Sequence, residues 1–189
     1  MSCLTACSPE LTPVTLADCT PVFMNGGIRA LAFMKCDASF DDVSGGSISD
    51  VTTWEALMES GDIVFSAPIL GSKPKGSTTN RRVQSCSPEI PVSRVQTINF
   101  KDFNADLETL TQYDFWINKQ ENFQALKLMY ITCEGYVYGP FEDKTWTLDV
   151  DDVREETKES PTYIEGTITI TKFAMTKPVL VDGILTLLP

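Results

Sequence analysis

The sequence predicts a mainly β protein of the α+β class, an antiparallel β-sandwich or barrel with one or two flanking helices. Three observations lead to this prediction. Residues 163–175 (YIEGTITITKFAM) alternate between apolar and polar positions, which is the period of a half-buried strand. Strand-like runs are separated by turn residues, and they do not alternate with helices as a parallel sheet requires. The chain has 189 residues, 42% hydrophobic and 22% charged, which suffices for one domain with a full core.

The domain organisation is an arm followed by one domain. Residues 1–25 contain Pro9, Pro13 and Pro21 with little periodicity, so we expect an extended N-terminal arm there. A single β-sandwich or barrel domain is expected over 26–189. Its strands are predicted at 28–36, 62–70, 82–86, 92–101, 125–133, 136–138, 145–150, 163–175 and 179–188.

Two helices are expected between these strands. Thr52 with Glu55 three positions later fits a capping box at the start of a short helix, and Gly61 is a stop signal after it. Asn104 is a plausible N-cap for a second helix that ends at about 118–122. With so few helical segments, both are predicted to flank the sheet.

Residues 71–82 (GSKPKGSTTNRR) are predicted to form a long basic loop because they are rich in Gly, Ser, Thr and Pro. The segment resembles a phosphate-binding loop in outline, but no lysine follows its second glycine, so nucleotide binding is not expected. It is either a mobile solvated loop or an arm that docks onto the acidic face of a neighbouring copy. Its candidate interface residues are Lys73, Lys75, Arg81 and Arg82, four of the 15 basic residues.

The absence of histidine limits the chemistry of this chain. Histidine is the commonest general base near neutral pH and the commonest transition-metal ligand, so His-dependent triads and zinc sites are excluded. There is also no GxSxG elbow for a nucleophilic serine. We therefore predict a protein that is not an enzyme and has no cofactor. The net charge of −11 disfavours a nucleic-acid-binding surface, which needs a basic footprint.

A group of carboxylates follows the predicted strand at 145–150. Hard cations bind such oxygens, but the glycine and glutamate spacing of an EF-hand is missing, so we interpret the group as a solvated face without a metal. Paired carboxylates for glycoside hydrolysis stay open as an alternative. The group consists of Asp149, Asp151, Asp152, Glu155 and Glu156.

The cysteines and tryptophans are assigned to packing. The six cysteines lack any CxxC pair, and residues 1–20 lack the basic and apolar regions of a signal peptide, so we expect reduced thiols, several of them buried. No apolar run approaches the ~18 residues of a membrane span, so no membrane partner is expected. The three tryptophans, Trp54, Trp116 and Trp146, are expected in the core rather than on a ligand platform.

Several segments together resemble virion structural proteins of tailed bacteriophages, most of all tail tube proteins. The segments are the Gly-Gly entry into IRALAFMKC, the helix TTWEALMES, the loop GSKPKGSTTNRR, the helix around ETLTQYDFW and the strand YIEGTITITKFAM. The resemblance implies a β-sandwich or barrel with a flanking helix that forms rings, commonly hexameric. It further implies that residues 71–82 and the N-terminal arm join subunits or rings.

The resemblance also implies a setting and partners. The expected function is that of a tail tube subunit, in which stacked rings enclose a channel whose acidic wall lets DNA pass without specific binding. The acids at 149–156 are candidates for this wall or for the outer rim. Expected partners are copies of the chain and other tail or neck proteins, in a virion assembled in the host cytoplasm. Alternatives are a head-to-tail connector, a neck ring or capsid decoration protein, and a carbohydrate-binding or small hydrolytic β-sandwich.

Overall fold

Ten strands and two α-helices make up the part of the chain that the computed structural model describes, namely residues 27–81, 90–103, 107–121, 126–142, 145–153, 162–171 and 177–189. The helices are α1 (Val51–Glu59) and α2 (Leu107–Glu121), and two 3-10 turns occupy Phe40–Asp42 and Ile184–Leu187. The strands are β1 (Ile28–Lys35), β2 (Ile63–Phe65), β3 (Leu70–Ser72), β4 (Ser77–Arg81), β5 (Ile90–Asp102), β6 (Leu126–Thr132), β7 (Tyr136–Phe141), β8 (Trp146–Val153), β9 (Tyr163–Thr171) and β10 (Val179–Leu180).

All ten strands belong to one sheet, and every described pairing is antiparallel. The main strand order is β10-β7-β6-β1-β3-β5-β9-β8, with β2 paired to β1 and β4 paired to β5. The predicted mainly β, α+β class is therefore confirmed.

The sheet rolls up on itself. Strands β6 and β8 are five strand spacings apart in the sheet order, which would be about 24 Å in a flat sheet. Trp146 at the start of β8 nevertheless donates a hydrogen bond from Nε1 to the Leu126 carbonyl of β6 at 3.1 Å. Its ring also lies 5.8 Å from the Phe33 ring of β1. A side chain thus connects the edge strand β8 to β6, two strands in from the other edge of the sheet, and no backbone pairing joins these two strands within the described residues.

The two faces of the sheet carry separate cores. On the inner face, α2 packs on the strands, and Trp116 stacks on Phe33 with ring centroids 4.2 Å apart. On the outer face, α1 covers β1, β6 and β7, and the ring of Trp54 stacks on that of Phe65 with centroids 5.9 Å apart. Residues of β1 and β6 alternate between these cores, which explains why both strands are almost continuously apolar.

Several local predictions need correction. Asp50 caps α1 by accepting a hydrogen bond from the Thr52 N–H at 3.1 Å, so the predicted Thr52–Glu55 capping box is wrong. The predicted strand at 62–70 divides into β2 and β3. The predicted last strand, 179–188, contains only β10 before the chain enters the second 3-10 turn.

The described cysteines also differ from expectation. Cys36 and Cys133 are free thiols, as predicted, but both are exposed because each lies in a turn directly after a strand. The other cysteines, the arm at 1–25, the predicted strand at 82–86 and the N-cap Asn104 lie outside the described residues.

The core tyrosines predict a loss of stability at alkaline pH. Burial raises the pKa of Tyr113, Tyr130 and Tyr138, and the Asp102 carboxylate raises that of Tyr113 further. The neutral phenols therefore stabilise the fold fully below the unfolded-state pKa of about 10. Above it, the free energy of unfolding should fall by up to about 1.4 kcal/mol per pH unit for each of Tyr113 and Tyr130, and by less for Tyr138, which is only partly buried. Urea denaturation at a series of alkaline pH values measures this slope, which should be shallower for Tyr130→Phe; a flat profile in the wild type would contradict the prediction.

Candidate assembly surfaces

The basic segment at 71–82 is not the continuous loop that its composition predicts. Residues 70–72 form β3 and residues 77–81 form β4, and both strands run antiparallel to the 13-residue strand β5. Only 73–76 lacks strand structure between them. The correction has a physical reason: Gly, Ser and Thr residues accept strand geometry when a long neighbouring strand supplies hydrogen-bond partners.

The candidate interface residues are distributed along this segment. Lys73 and Lys75 lie in the connection at 73–76, and both are exposed. Arg81 ends β4 opposite Ile90, whereas Arg82 lies outside the described residues. The described part of the segment therefore presents its basic residues beside the first half of β5.

Strand β4 is an edge strand of the described sheet. It pairs with the first half of β5 and has no other strand partner within the described residues. Residues 77–80 of β4 are all exposed. An exposed edge strand presents backbone N–H and C=O groups to which a further chain can attach.

Arg94 is a site residue that the sequence analysis missed. It lies on β5 in phase with Gln96, Ile98 and Phe100, which face the inner core. Its Nε atom is buried and has no hydrogen-bond partner in the described structure. A basic residue in the apolar phase of a strand (VSRVQTINF) is the signal that points to it.

Lys73 lies on the connection that packs against β5 next to Arg94, where a Cβ atom at Gly76 would be 2.6 Å from the Val95 carbonyl oxygen. Its Nζ atom is 5.6 Å from the ring centroid of Tyr130 and 5.7 Å from that of Tyr138, which places the ammonium over two stacked aromatic faces. Partial burial, and then repulsion from Arg94, lower the pKa of Lys73. The two cations thus form an electropositive pair at the end of the inner core where β5 begins.

The acidic residues are separated by strand alternation. Asp149, Asp151 and Asp152 lie on β8, with the first two exposed, and Glu155 and Glu156 are outside the described residues. Asp151 and Asp152 line a cleft of about 370 Å³ between α2 and β8, together with Asp114. The part of the chain that the structure describes contains no cluster of three or more Cys, Asp or Glu arranged to hold a metal ion.

The acidic residues of β8 lie at several levels of the sheet. Asp152 is in register with Ile164, which is in register with Asp102 of β5, eight residues or about 26 Å along the strand from Arg94. Asp149 is in register with Thr167, which is in register with Asn99 and through it with Ser72, the residue before Lys73. The acidic edge strand β8 and the basic connection therefore differ in their place across the sheet rather than along the strands.

The three tryptophans lie in the cores, as the sequence analysis expects. Trp54, Trp116 and Trp146 are 0%, 4% and 3% exposed, so they do not line an open groove. None of the described helices has the length and apolar character needed to cross a membrane. No protein-family model, curated protein or solved structure matches this chain.

Proposed function

We propose that this chain is the structural subunit of a phage tail tube, which self-assembles into stacked rings around a DNA-conducting channel. The observation that carries the proposal is the exposed edge strand β4 with the basic connection at 73–76 before it. An exposed edge strand is a template for pairing with another chain, and another subunit provides such a partner. The resemblance of the sequence to tail tube proteins supports the same reading.

The distribution of charge supports contacts between unlike surfaces. A basic patch on one copy and an acidic edge on the next form a heterologous contact, and such contacts generate rings or open helical stacks. The acidic edge is contributed by Asp149 and Asp151 on β8, at the margin of the sheet. The net charge of −11 also suits a channel through which DNA passes without being held.

The burial of the tryptophans favours the tail tube proposal over a carbohydrate-binding groove lined by these residues. A carbohydrate-binding groove would need exposed tryptophan faces, and all three side chains are enclosed in the cores. A neck ring, connector or decoration protein would use the same basic and acidic surfaces as a tail tube subunit. Electron microscopy separates these roles, because a tube subunit forms stacked rings, a neck ring stays single and a decoration protein forms neither.

Sedimentation velocity and negative-stain microscopy of the purified chain test the proposal directly. The expected result is a concentration-dependent rise in sedimentation coefficient, accompanied by rings and tubes on the grid. Higher salt should weaken the association, because charge attraction contributes to it. A chain that stays monomeric across protein and salt concentrations would overturn the proposed function.

Charge reversal in the basic segment is expected to block assembly. The variant carries Lys73→Glu, Lys75→Glu, Arg81→Glu and Arg82→Glu, which turns the patch into a surface that repels the acidic edge of the next copy. Its folding should be preserved, since Lys73 and Lys75 are exposed and exposed charges contribute about 0–1 kcal/mol each. Sedimentation velocity should show a monomer, and circular dichroism a native spectrum.

A pair of matched variants separates position from net charge. Lys73→Glu with Lys75→Glu changes the net charge as much as Arg29→Glu with Lys177→Glu, and all four side chains are exposed. Assembly should fail in the first pair and persist in the second. Equal effects of the two pairs would show that total charge, rather than this patch, controls association.

A further inference from the structure

Lys73 and Arg94 are two neighbouring cations that the described structure leaves without an anion. The only ion pair within the described residues joins Lys35 to Asp62, at 2.7 Å. Neither Lys73 nor Arg94 contacts a carboxylate, and the buried Arg94 Nε has no acceptor at all. A buried donor without an acceptor lowers stability, and a second positive charge beside it adds repulsion.

We propose that Lys73 and Arg94 form a receptor site for a carboxylate side chain of a second copy of this chain. This inference rests on the self-assembly proposed above and assigns its central contact. The sequence analysis placed docking in the flexible, exposed charges of 71–82. The geometry instead makes Lys73, whose ammonium lies over two tyrosine rings, and the partly buried Arg94 of β5 the anchor.

The chemistry of the site fits an oxyanion. A guanidinium offers two parallel N–H donors from Nε and one terminal nitrogen, which match the two oxygens of a carboxylate. Arg94 is only partly buried, so part of its side chain is open to an incoming group. Lys73 adds a second positive charge, which is held over the stacked rings of Tyr130 and Tyr138.

The charge of the chain identifies the source of the oxyanion. Each copy carries 26 acidic residues and a net charge of −11, so a neighbouring copy presents many carboxylates. A nucleic acid would bring phosphates, but its approach to a body of this charge is unfavourable. The β8 edge with Asp149 and Asp151 is exposed at the margin of the sheet and is separated from β5, which carries Arg94, by β9, so one copy can present it to the cation pair of another.

The decisive variant is Arg94→Met, which keeps much of the side-chain volume and removes the charge. Loss of the buried unpaired donor should leave the melting temperature of the monomer unchanged or raise it. Self-association measured by sedimentation velocity should weaken at least tenfold. Lys73→Met should weaken it as well, whereas the control Lys75→Met, on the same connection, should have little effect.

A ligand measurement tests the site without relying on assembly. At micromolar protein, an excess of a capped diaspartate peptide should raise the melting temperature of the wild type relative to sodium chloride of equal ionic strength. The Arg94→Met variant should show no such rise. Inorganic phosphate serves as the competing probe and should give the smaller shift.

Each outcome decides between the two proposals. A monomeric wild type whose melting temperature responds to the peptide through Arg94 would overturn the tail tube function and keep the anion site. Normal assembly of Arg94→Met, or a fall in its monomer melting temperature of more than about 5 °C, would overturn the receptor site and make Arg94 a structural residue. A larger response to phosphate than to peptide would overturn the carboxylate assignment.

Discussion

Trp146→Ala is expected to lower the free energy of unfolding by about 3–5 kcal/mol. The side chain is buried, packs against Phe33 on β1 and donates a hydrogen bond to the Leu126 carbonyl on β6. Truncation therefore opens a cavity and removes the hydrogen bond and ring packing that connect β8 to β6 and β1. Urea denaturation followed by circular dichroism measures the change.

Two further variants divide this effect into its parts. Trp146→Phe keeps an aromatic ring but loses the N–H donor, so it should cost less, with about 1 kcal/mol from the hydrogen bond. Thr147→Ala, at the exposed neighbouring position, is the control and should stay within about 0.5 kcal/mol of the wild type. If Trp146→Ala were no more destabilising than Thr147→Ala, the contact between β8 and β6 would not hold the roll together.

Gly166→Ala is expected to cost about 3 kcal/mol, because the sheet leaves no room for a methyl group at this position. Gly166 on β9 lies directly opposite Phe100 on β5, and the aromatic ring covers the glycine. A Cβ atom at 166 would lie 2.1 Å from Phe100 Cζ. Since Phe100 is 1% exposed, its ring cannot move aside without disturbing the inner core.

A double-mutant cycle tests this explanation. Phe100→Leu removes the ring that collides with the new methyl group, so Gly166→Ala should cost much less in the Phe100→Leu background than in the wild type. Thermal denaturation of the four proteins gives the coupling. Equal costs in both backgrounds would place the strain of Gly166→Ala somewhere other than at Phe100.

Individual helices and strands of the fold can be predicted from the sequence. The period of two at 163–171 identifies β9, and the helices are recognisable from their apolar stripes and the stop signal at Gly61. The start of α1 is harder to predict, because Asp50 and Thr52 are both good N-cap residues. Asp50 is the one whose backbone is extended in the fold.

The long-range part of the fold is not readable in the same way. Whether GSKPKGSTTNRR is loop or strand depends on the 13-residue strand β5, which offers hydrogen bonds to both β3 and β4. The rolling of the sheet depends on a contact between residues 20 apart, Leu126 and Trp146. The residues next to Leu126 and Trp146 in the sequence do not indicate that contact, since a tryptophan at the start of a strand is compatible with many surroundings.

The candidate site was predictable in composition but not in arrangement. Lys73 and Lys75 stand out because they lie in a run without acids. Arg94 lies near polar residues in the sequence. It can be identified as a site residue only once the structure shows that the β5 residues in phase with it face the inner core. The carboxylates at 149–152 form one run in the sequence, but alternation along β8 distributes them over different surfaces.

The pairing of β1 with β6 affects when the chain can fold during its synthesis. Ile28 is in register with Thr132, so the central pair of the sheet joins segments that are about a hundred residues apart. Strand β1 contributes to both cores, yet it gains its main partner only after about a hundred further residues have been synthesised. Ile184 of the second 3-10 turn also packs in the outer core. Folding of the sheet is therefore expected to wait until β6 and this turn have been synthesised, and subunits should become competent to associate only after that point.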